Sequence, residues 1–247
     1  MATIKEYFET AKKGVAEAKE SQRENLKECA KLMGDCMLED GVVQLFGINH
    51  GLAFSMELGY RAGGLMPFHQ MRTIDLVLRG VVKESDLANP SFNHDEANAQ
   101  LLWDLYRIDP TDMFILISQT GSEALIVETA KMAKEKGHKV VVVVSEKTQS
   151  ETKSTHSTGK QLKDYADLVI DNCTPNPDVV VSLNDKTMLA QNSTITGNIF
   201  AQMITAETYK YLKDKGEECP VLLSVNVAGA DAHNRILSDQ YLGRWNS

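Results

Sequence analysis

The stretch from Met113 to Ser145 constrains the fold more than any other. It reads as an apolar run (Met113 to Ile117), a small polar turn (Ser118-Gln119-Thr120-Gly121-Ser122), a helix, and a second apolar run from Lys139 to Val144. Uninterrupted apolar runs of that length, bounded by turn residues, suit strands covered on both faces, which is the pattern of a parallel sheet. Between them Ile126, Ala130 and Ala133 fall on one helix face, while Lys131, Lys134, Glu135 and Lys136 crowd the outer side and last turn. Gly137 ends the helix where a left-handed residue costs least. The unit is βαβ, with a right-handed crossover.

A strand that hands over to a helix through Ser-Gln-Thr-Gly-Ser gathers free backbone N–H groups, hydroxyls and the positive helix end at one spot, which favours an anion. The same hydroxyls also serve as ordinary helix caps. A second turn of this kind follows the predicted strand Val42 to Phe46: Gly47-Ile48-Asn49-His50-Gly51, then a helix through Leu52, Met56, Glu57 and Arg61, stopped by Gly63-Gly64. Two such turns lie together at the carboxyl edge of one parallel sheet, where open α/β folds bind ligands. His50 and Glu57, seven residues apart, share a helix face about 10 Å apart along the axis.

The remaining chain divides around this core. Ile4 to about Asp40 is helical, with a stripe of Ile4, Phe8, Ala11, Val15 and Ala18; Ser21 to Glu24 has the form of a capping box. Met71 to Val82 allows a strand, although Arg72, Asp75 and Arg79 interrupt it, and Glu96 to Tyr106 reads as a helix. A long polar connection, Glu146 to Lys160, has the length of a functional loop. Gln161 to Ala166 is a short helix, Leu168 to Asp171 a strand and Asp178 to Leu183 a further candidate strand. Ser193 to Lys213 is a long helix, Pro220 to Asn226 a last short strand, and Gly229 to Leu242 a closing helix. The reading is one domain over 1–247: a helical arm at 1–40, a sheet core at 41–175 and a helical extension at 176–247.

With a formal charge of −8 and a pI near 5.3, neither nucleic acid nor an anionic membrane is expected as partner. Four cysteines without CxxC spacing read as reduced thiols, and no apolar run approaches a membrane span, so the expected location is the cytoplasm. His69 and His94 have no partner at metal spacing, and the spacing of His50, His156 and His233 asks for no metal. Neither turn is GxGxxG, so no dinucleotide and no other cofactor is expected.

The ordered motifs together resemble a sugar isomerase (SIS) domain, and more closely the stand-alone bacterial SIS proteins grouped as sugar-phosphate isomerases. The resemblance covers nearly the whole chain. It rests on Phe46-Gly47-x-x-His50, Glu57-x-x-x-Arg61-Ala62-Gly63-Gly64-Leu65, Ile117-Ser118-x-x-Gly121, His156-Ser157-x-Gly159-Lys160-x-Leu162 and Ala166-Asp167-x-Val169-Ile170-Asp171. It continues in Ser193-Thr194 and in Ser224-x-Asn226-Val227-x-Gly229-x-Asp231-x-His233-Asn234.

The resemblance implies a three-layer α/β/α sandwich around a five-stranded parallel sheet of flavodoxin-like order, with the N-terminal helical arm outside it. It also implies homodimers or homotetramers with sites at subunit interfaces, and a sugar phosphate as ligand. Phosphate would be held by Ser118, Gln119, Thr120, Gly121 and Ser122, with Lys160, Ser193 and Thr194 as helpers and Asn49 and His50 as further substrate-binding residues. The implied reaction is aldose–ketose isomerisation through an enediol, which needs one base near C1 and C2 and a donor to the oxyanion. By resemblance to the heptose-phosphate isomerases Glu57 is the base, with His156 or His233, from the same or another subunit, as ring-opening acid or second base. A non-catalytic sugar-phosphate sensor and an aminosugar-phosphate lyase or deaminase are the alternatives.

Three positions depart from the pattern: Gly51 where relatives usually carry Ser, Thr120 in a turn that is usually Ser-x-Ser-Gly, and Glu123 where many phosphate-binding turns carry Thr or Asn. A carboxylate about 4 Å from a phosphate repels it by about 1 kcal/mol in water and about 4 near a protein surface. Weakened phosphate affinity is therefore expected unless Glu123 turns away or a cation intervenes, and the position equally allows Glu123 as an ordinary acid of a helix first turn.

Overall fold

In the computed structural model, which describes residues 3–184 and 186–244, the apolar runs pair as one parallel sheet between two helical layers. In chain order the elements begin with α1 (Ile4–Ser21), α2 (Arg23–Leu38), β1 (Val43–Gly47), α3 (Gly51–Leu58), β2 (Phe68–Met71), α4 (Thr73–Leu78), α5 (Glu84–Leu87) and α6 (Ala97–Trp103). They continue with β3 (Met113–Ile117), α7 (Ala124–Glu135), β4 (Lys139–Val144), α8 (Glu146–Glu151), β5 (Leu168–Asp171), β6 (Val181–Ser182), β7 (Met188–Leu189), α9 (Ser193–Asp214) and α10 (Ala230–Gln240). The sheet order is β2-β1-β3-β4-β5, every neighbour parallel, which is the flavodoxin-like order.

The strand pleat divides the core. Val43, Leu45, Met113, Ile115 and Ile117 face α2, α3 and α9, meeting Met33, Phe54 and Phe200. Phe46, Phe114, Leu116, Val140 and Val142 face the other way, onto α6 and α7 through Leu102, Trp103, Ile126 and Ala130. Both layers are dry, and this is what makes the strands continuously apolar.

Several local readings need correction. Met71 to Val82 is not a strand: the second strand lies just before it, and α4 takes over at Thr73 because Arg72 and Asp75, three apart, close an ion pair (2.7 and 3.2 Å) that a helical turn brings into range. Pro220 to Asn226 joins no sheet; Val221 makes a single antiparallel bridge to Leu65, with Leu222 N–H donating to Gly64 O (2.9 Å). Of Asp178 to Leu183 only Val181–Ser182 is extended, as a small ribbon with β7. Ser21 caps nothing: its hydroxyl donates to Ala18 O. Gln22 is instead the joint between α1 and α2, its Oε1 accepting from the N–H of Asp171 (3.1 Å), the last residue of β5. The polar connection after β4 is helical over its first six residues, with Ser145 Oγ capping α8 by accepting from Thr148 N–H.

α1 is lightly embedded for its length, with Ala11 and Ala18 its buried residues. It nevertheless braces the start of α9: Tyr7 OH donates to Gln191 O (3.0 Å), and Gly14 lies so close to Asn192 that a Cβ there would fall 2.7 Å from its Nδ2.

Candidate functional site

The strand order reverses between β1 and β3, and a cleft opens there at the carboxyl edge of the sheet. Its floor is Ile48, Phe54, Ile117 and Val143; its polar walls are Asn49, His50, Ser118, Gln119, Thr120, Glu123, Asn172, Asp178, Gln191, Ser193 and Thr194. The first wall is the turn after β1. Gly47 is obligatory there, since a Cβ would lie 2.3 Å from Gly51 O, and Asn49 takes a left-handed conformation (φ 51°). The same packing accounts for Gly51: a Cβ would sit 2.6 Å from Ile117 O, so this turn presses against the end of β3 where a serine has no room.

The second wall is the turn after β3, and its hydroxyls already hold an anion. Glu123 Oε2 accepts from Ser118 Oγ (2.8 Å), Thr120 Oγ1 (2.6 Å) and Ser122 N–H (3.2 Å). Ser118 Oγ in turn accepts from Gly121 N–H (2.9 Å), and Ser122 Oγ donates to Thr120 Oγ1 (2.9 Å). Gly121 sits at φ 60°, with Gln149 Nε2 at 2.1 Å from where a Cβ would be. Glu123 is buried, and as N-cap residue of α7 its side chain bonds none of that helix's own amides; Thr155 Oγ1 accepts from Ala124 N–H instead (3.1 Å). So Glu123 neither turns away nor behaves as a simple first-turn acid.

The third wall is the start of α9. Asp178 accepts from Asn192 N–H and Ser193 N–H (both 3.2 Å) and occupies that helix's positive end. Gln119 is tied across to the β5 end, donating to Thr174 Oγ1 (2.7 Å) and accepting from Asn172 Nδ2 (2.8 Å). Among the described residues the lining thus carries two carboxylates, one histidine and no lysine or arginine.

The structure brings Asn49, His50, Ser118, Gln119, Thr120, Ser193 and Thr194 together, with Gly121 and Ser122 completing the turn behind them. Four expected residues stand elsewhere in the chain. Glu57, at the far end of α3, pairs with Arg61 and accepts from Gln202 Nε2 (2.7 Å). Lys160 is exposed, its ammonium 5.0 Å from the Tyr165 ring. His233, whose Nε2 lies 2.9 Å from Val221 O, belongs to α10 and lines a different hollow with Asp40 and Tyr241. His156 is buried between Glu128 (Nε2 to Oε2, 2.7 Å) and Thr158 (Nδ1 to Oγ1, 2.8 Å).

Glu96, Glu128 and His156 bring ligand atoms within 4.8 Å of one another, a set able to hold a metal ion. Each is already engaged by the protein: Glu96 by Ser157 N–H and Oγ, Glu128 by Lys131 (2.9 Å), His156 by Thr158. These partners are 28 to 60 positions from His156, so no spacing announces them. Asp178 and Gln191 likewise carry no local signal, because they enter the cleft only through the path of the chain before α9.

This architecture, with its ligand cleft at the strand-order reversal and a hydroxyl-rich turn after the central strand, defines an α/β protein built to hold a small polar ligand. The model of the SIS domain family matches residues 6–145, and the chain belongs to that family. Its relatives include a UPF0309 protein of Caldanaerobacter subterraneus subsp. tengcongensis, 33% identical over 96% of this chain and 97% of that protein. A UPF0309 protein of Geobacillus kaustophilus is 31% identical over 98% of this chain and 95% of its own length. Among solved structures, the fold is similar to a phosphoheptose isomerase from Francisella tularensis (TM-score 0.54, 16% identity, 84% of this chain and 96% of that one). A phosphoheptose isomerase from Neisseria gonorrhoeae is similar too (TM-score 0.53, 16% identity, 82% and 95%). No helix among the described residues is long and apolar enough to cross a membrane.

Proposed function

We propose that the cleft between β1 and β3 binds a sugar phosphate, the phosphate meeting the Ser118–Ser122 turn and the sugar lying toward Asn49, His50, Ser193 and Thr194. The observation that carries this reading is the seat of Glu123: one carboxylate oxygen held by two hydroxyls and an amide is the coordination a phosphate oxygen requires. The solved proteins of similar fold named above are phosphosugar isomerases, which supports the same ligand class.

Isomerisation between aldose and ketose is the reaction proposed for that ligand. The base must reach C1 and C2, and Glu57 is its proposed source, on the helix whose first residues line the cleft. For this it has to leave Arg61 and Gln202 and be presented to a cleft by assembly. Leu52, Met56 and Tyr60, and Ile195 and Ile199 of α9, form an exposed apolar face beside the cleft, and a second copy of the chain is proposed to cover it. The cysteines are free thiols, which supports a reducing compartment such as the cytoplasm.

The engagement of Glu57 outside the cleft also favours a second reading, a sensor that binds sugar phosphate without converting it. One experiment divides them. Wild type and Glu57→Gln are incubated with a panel of aldose phosphates in deuterated water, and label at C2 is read by NMR. The isomerase reading expects exchange in wild type and loss of at least about two orders of magnitude in the variant, the usual contribution of a positioned base. Exchange that survives the substitution removes Glu57, and binding without exchange in wild type selects the sensor.

A further inference from the structure

We infer that Glu123 is a tethered competitor for the phosphate seat, so that a phosphate enters the turn only by displacing this carboxylate, and Glu123 sets which phosphorylated ligands the cleft accepts. The inference rests on the proposed placement of phosphate at the Ser118–Ser122 turn and goes beyond it, because that placement by itself assigns Glu123 no part.

Three observations carry it. Ser118 Oγ and Thr120 Oγ1 each have a single proton to give and direct it at Glu123 Oε2, and Ser122 N–H shares its proton between that oxygen (3.2 Å) and Thr120 Oγ1 (3.3 Å). A phosphate on the same donors and a carboxylate still in place would put two anions in contact. No paired cation neutralises them: among the described residues no Lys, Arg or His pairs with Glu123, the lining holds no Lys or Arg, and its other acid, Asp178, is a second carboxylate. Seat and plug are therefore mutually exclusive.

The third observation is that leaving is structurally inexpensive. The side chain of Glu123 caps none of α7's amides, since Ala124 N–H is held by Thr155 Oγ1, and the backbone of Glu123 is already extended (φ −72°, ψ 129°). Rotation about its side-chain bonds empties the seat without unwinding the helix. A ligand must then bring more than a phosphate. Free inorganic phosphate has only the seat to gain, whereas a phosphosugar also gains contacts to Asn49, His50 and Ser193, so the plug selects phosphate carried on a sugar.

The test is calorimetric titration of inorganic phosphate, at fixed ionic strength, into wild type, Glu123→Ala and Glu123→Ala/Thr120→Val, with cooperative melting checked for each. Expected is a gain of about tenfold or more in affinity for Glu123→Ala, equivalent to about 1.4 kcal/mol, and its loss in the double variant. Glu123→Gln, which keeps an oxygen but no charge, should fall between wild type and Glu123→Ala, and serves in their place if Glu123→Ala does not fold. Equal affinity in wild type and the single variants overturns the inference, as does a gain that survives Thr120→Val. If wild type binds or exchanges phosphosugars but emptying the seat gives no gain, this inference fails and the proposed function stands. A gain in Glu123→Ala with no phosphosugar bound by either protein does the reverse.

Discussion

Two buried carboxylates bracket β3, and they are held in opposite ways. Asp112, at the amino edge, accepts from Val42 N–H (2.8 Å), Gln44 Nε2 (2.9 Å) and Asp109 N–H (3.0 Å), and forms an ion pair with Arg244. Glu123, at the carboxyl edge, is held by hydroxyls and an amide alone. The first is neutralised by a full positive charge and ties two strands, a turn and the C-terminal segment together. The second is a charge soothed only by dipoles, on donors that suit any oxyanion. Burial by itself does not separate a structural acid from an exchangeable one; the presence of a cation does.

The largest break in the comparison comes from Asp112→Ala. It removes one of Arg244's two carboxylate partners, leaving Asp109 (3.1 Å), and strands three donors, and removing one member of a buried hydrogen-bonded pair costs about 3–5 kcal/mol. Urea unfolding at neutral pH should show a loss of that order. A loss below about 1 kcal/mol would mean that the two carboxylates are equivalent after all.

Acid provides the next break, again at the amino edge. His69 lies on β2 with Nδ1 2.7 Å from Gln44 Oε1, so it extends the Asp112 network by one residue. Burial pushes its pKa down from 6.5 to about 4, against the opposing pull of Asp75 and Asp112. A histidine depressed in the folded state binds its proton more readily when unfolded. Stability is therefore complete above pH 6.5 and falls as pH drops from 6.5 toward 4, by on the order of 3 kcal/mol in total. His69→Gln should flatten that limb in wild-type-minus-variant melts; an unchanged limb would place the acid sensitivity elsewhere.

The two edges also differ in what the amino-acid order discloses. β1, β3 and β4 are legible because each is buried on both faces, β5 because Leu168-Val169-Ile170 is an apolar run, and the turns stand out as glycine and hydroxyl clusters between such runs. β2 is not, because an edge strand of four residues needs little apolar sequence, and two of its members, His69 and Gln70, are polar. The positions of Ser118, Thr120 and His50 in the cleft follow from strand–turn–helix grammar. The engagement of His156 by Glu128, or of Glu57 by Gln202 145 positions away, leaves no local trace. For Glu123 the charge conflict is readable from its place after the glycine, but not its resolution: that the side chain folds back into the turn depends on Thr155 having taken over the cap of α7.

The smallest effect is the most discriminating. Glu123→Gln keeps an oxygen for Ser118, Thr120 and Ser122 and removes a buried charge that no cation offsets. The charge-assisted part of three hydrogen bonds is lost, while the desolvation cost of an unneutralised carboxylate is relieved, and these terms oppose each other at about 1–3 kcal/mol each. Urea unfolding should find the variant within about 1 kcal/mol of wild type, in contrast to the Asp112 variant. A loss of 3 kcal/mol or more would show that the carboxylate is as structural as Asp112, and a carboxylate that the fold depends on is one a ligand does not displace.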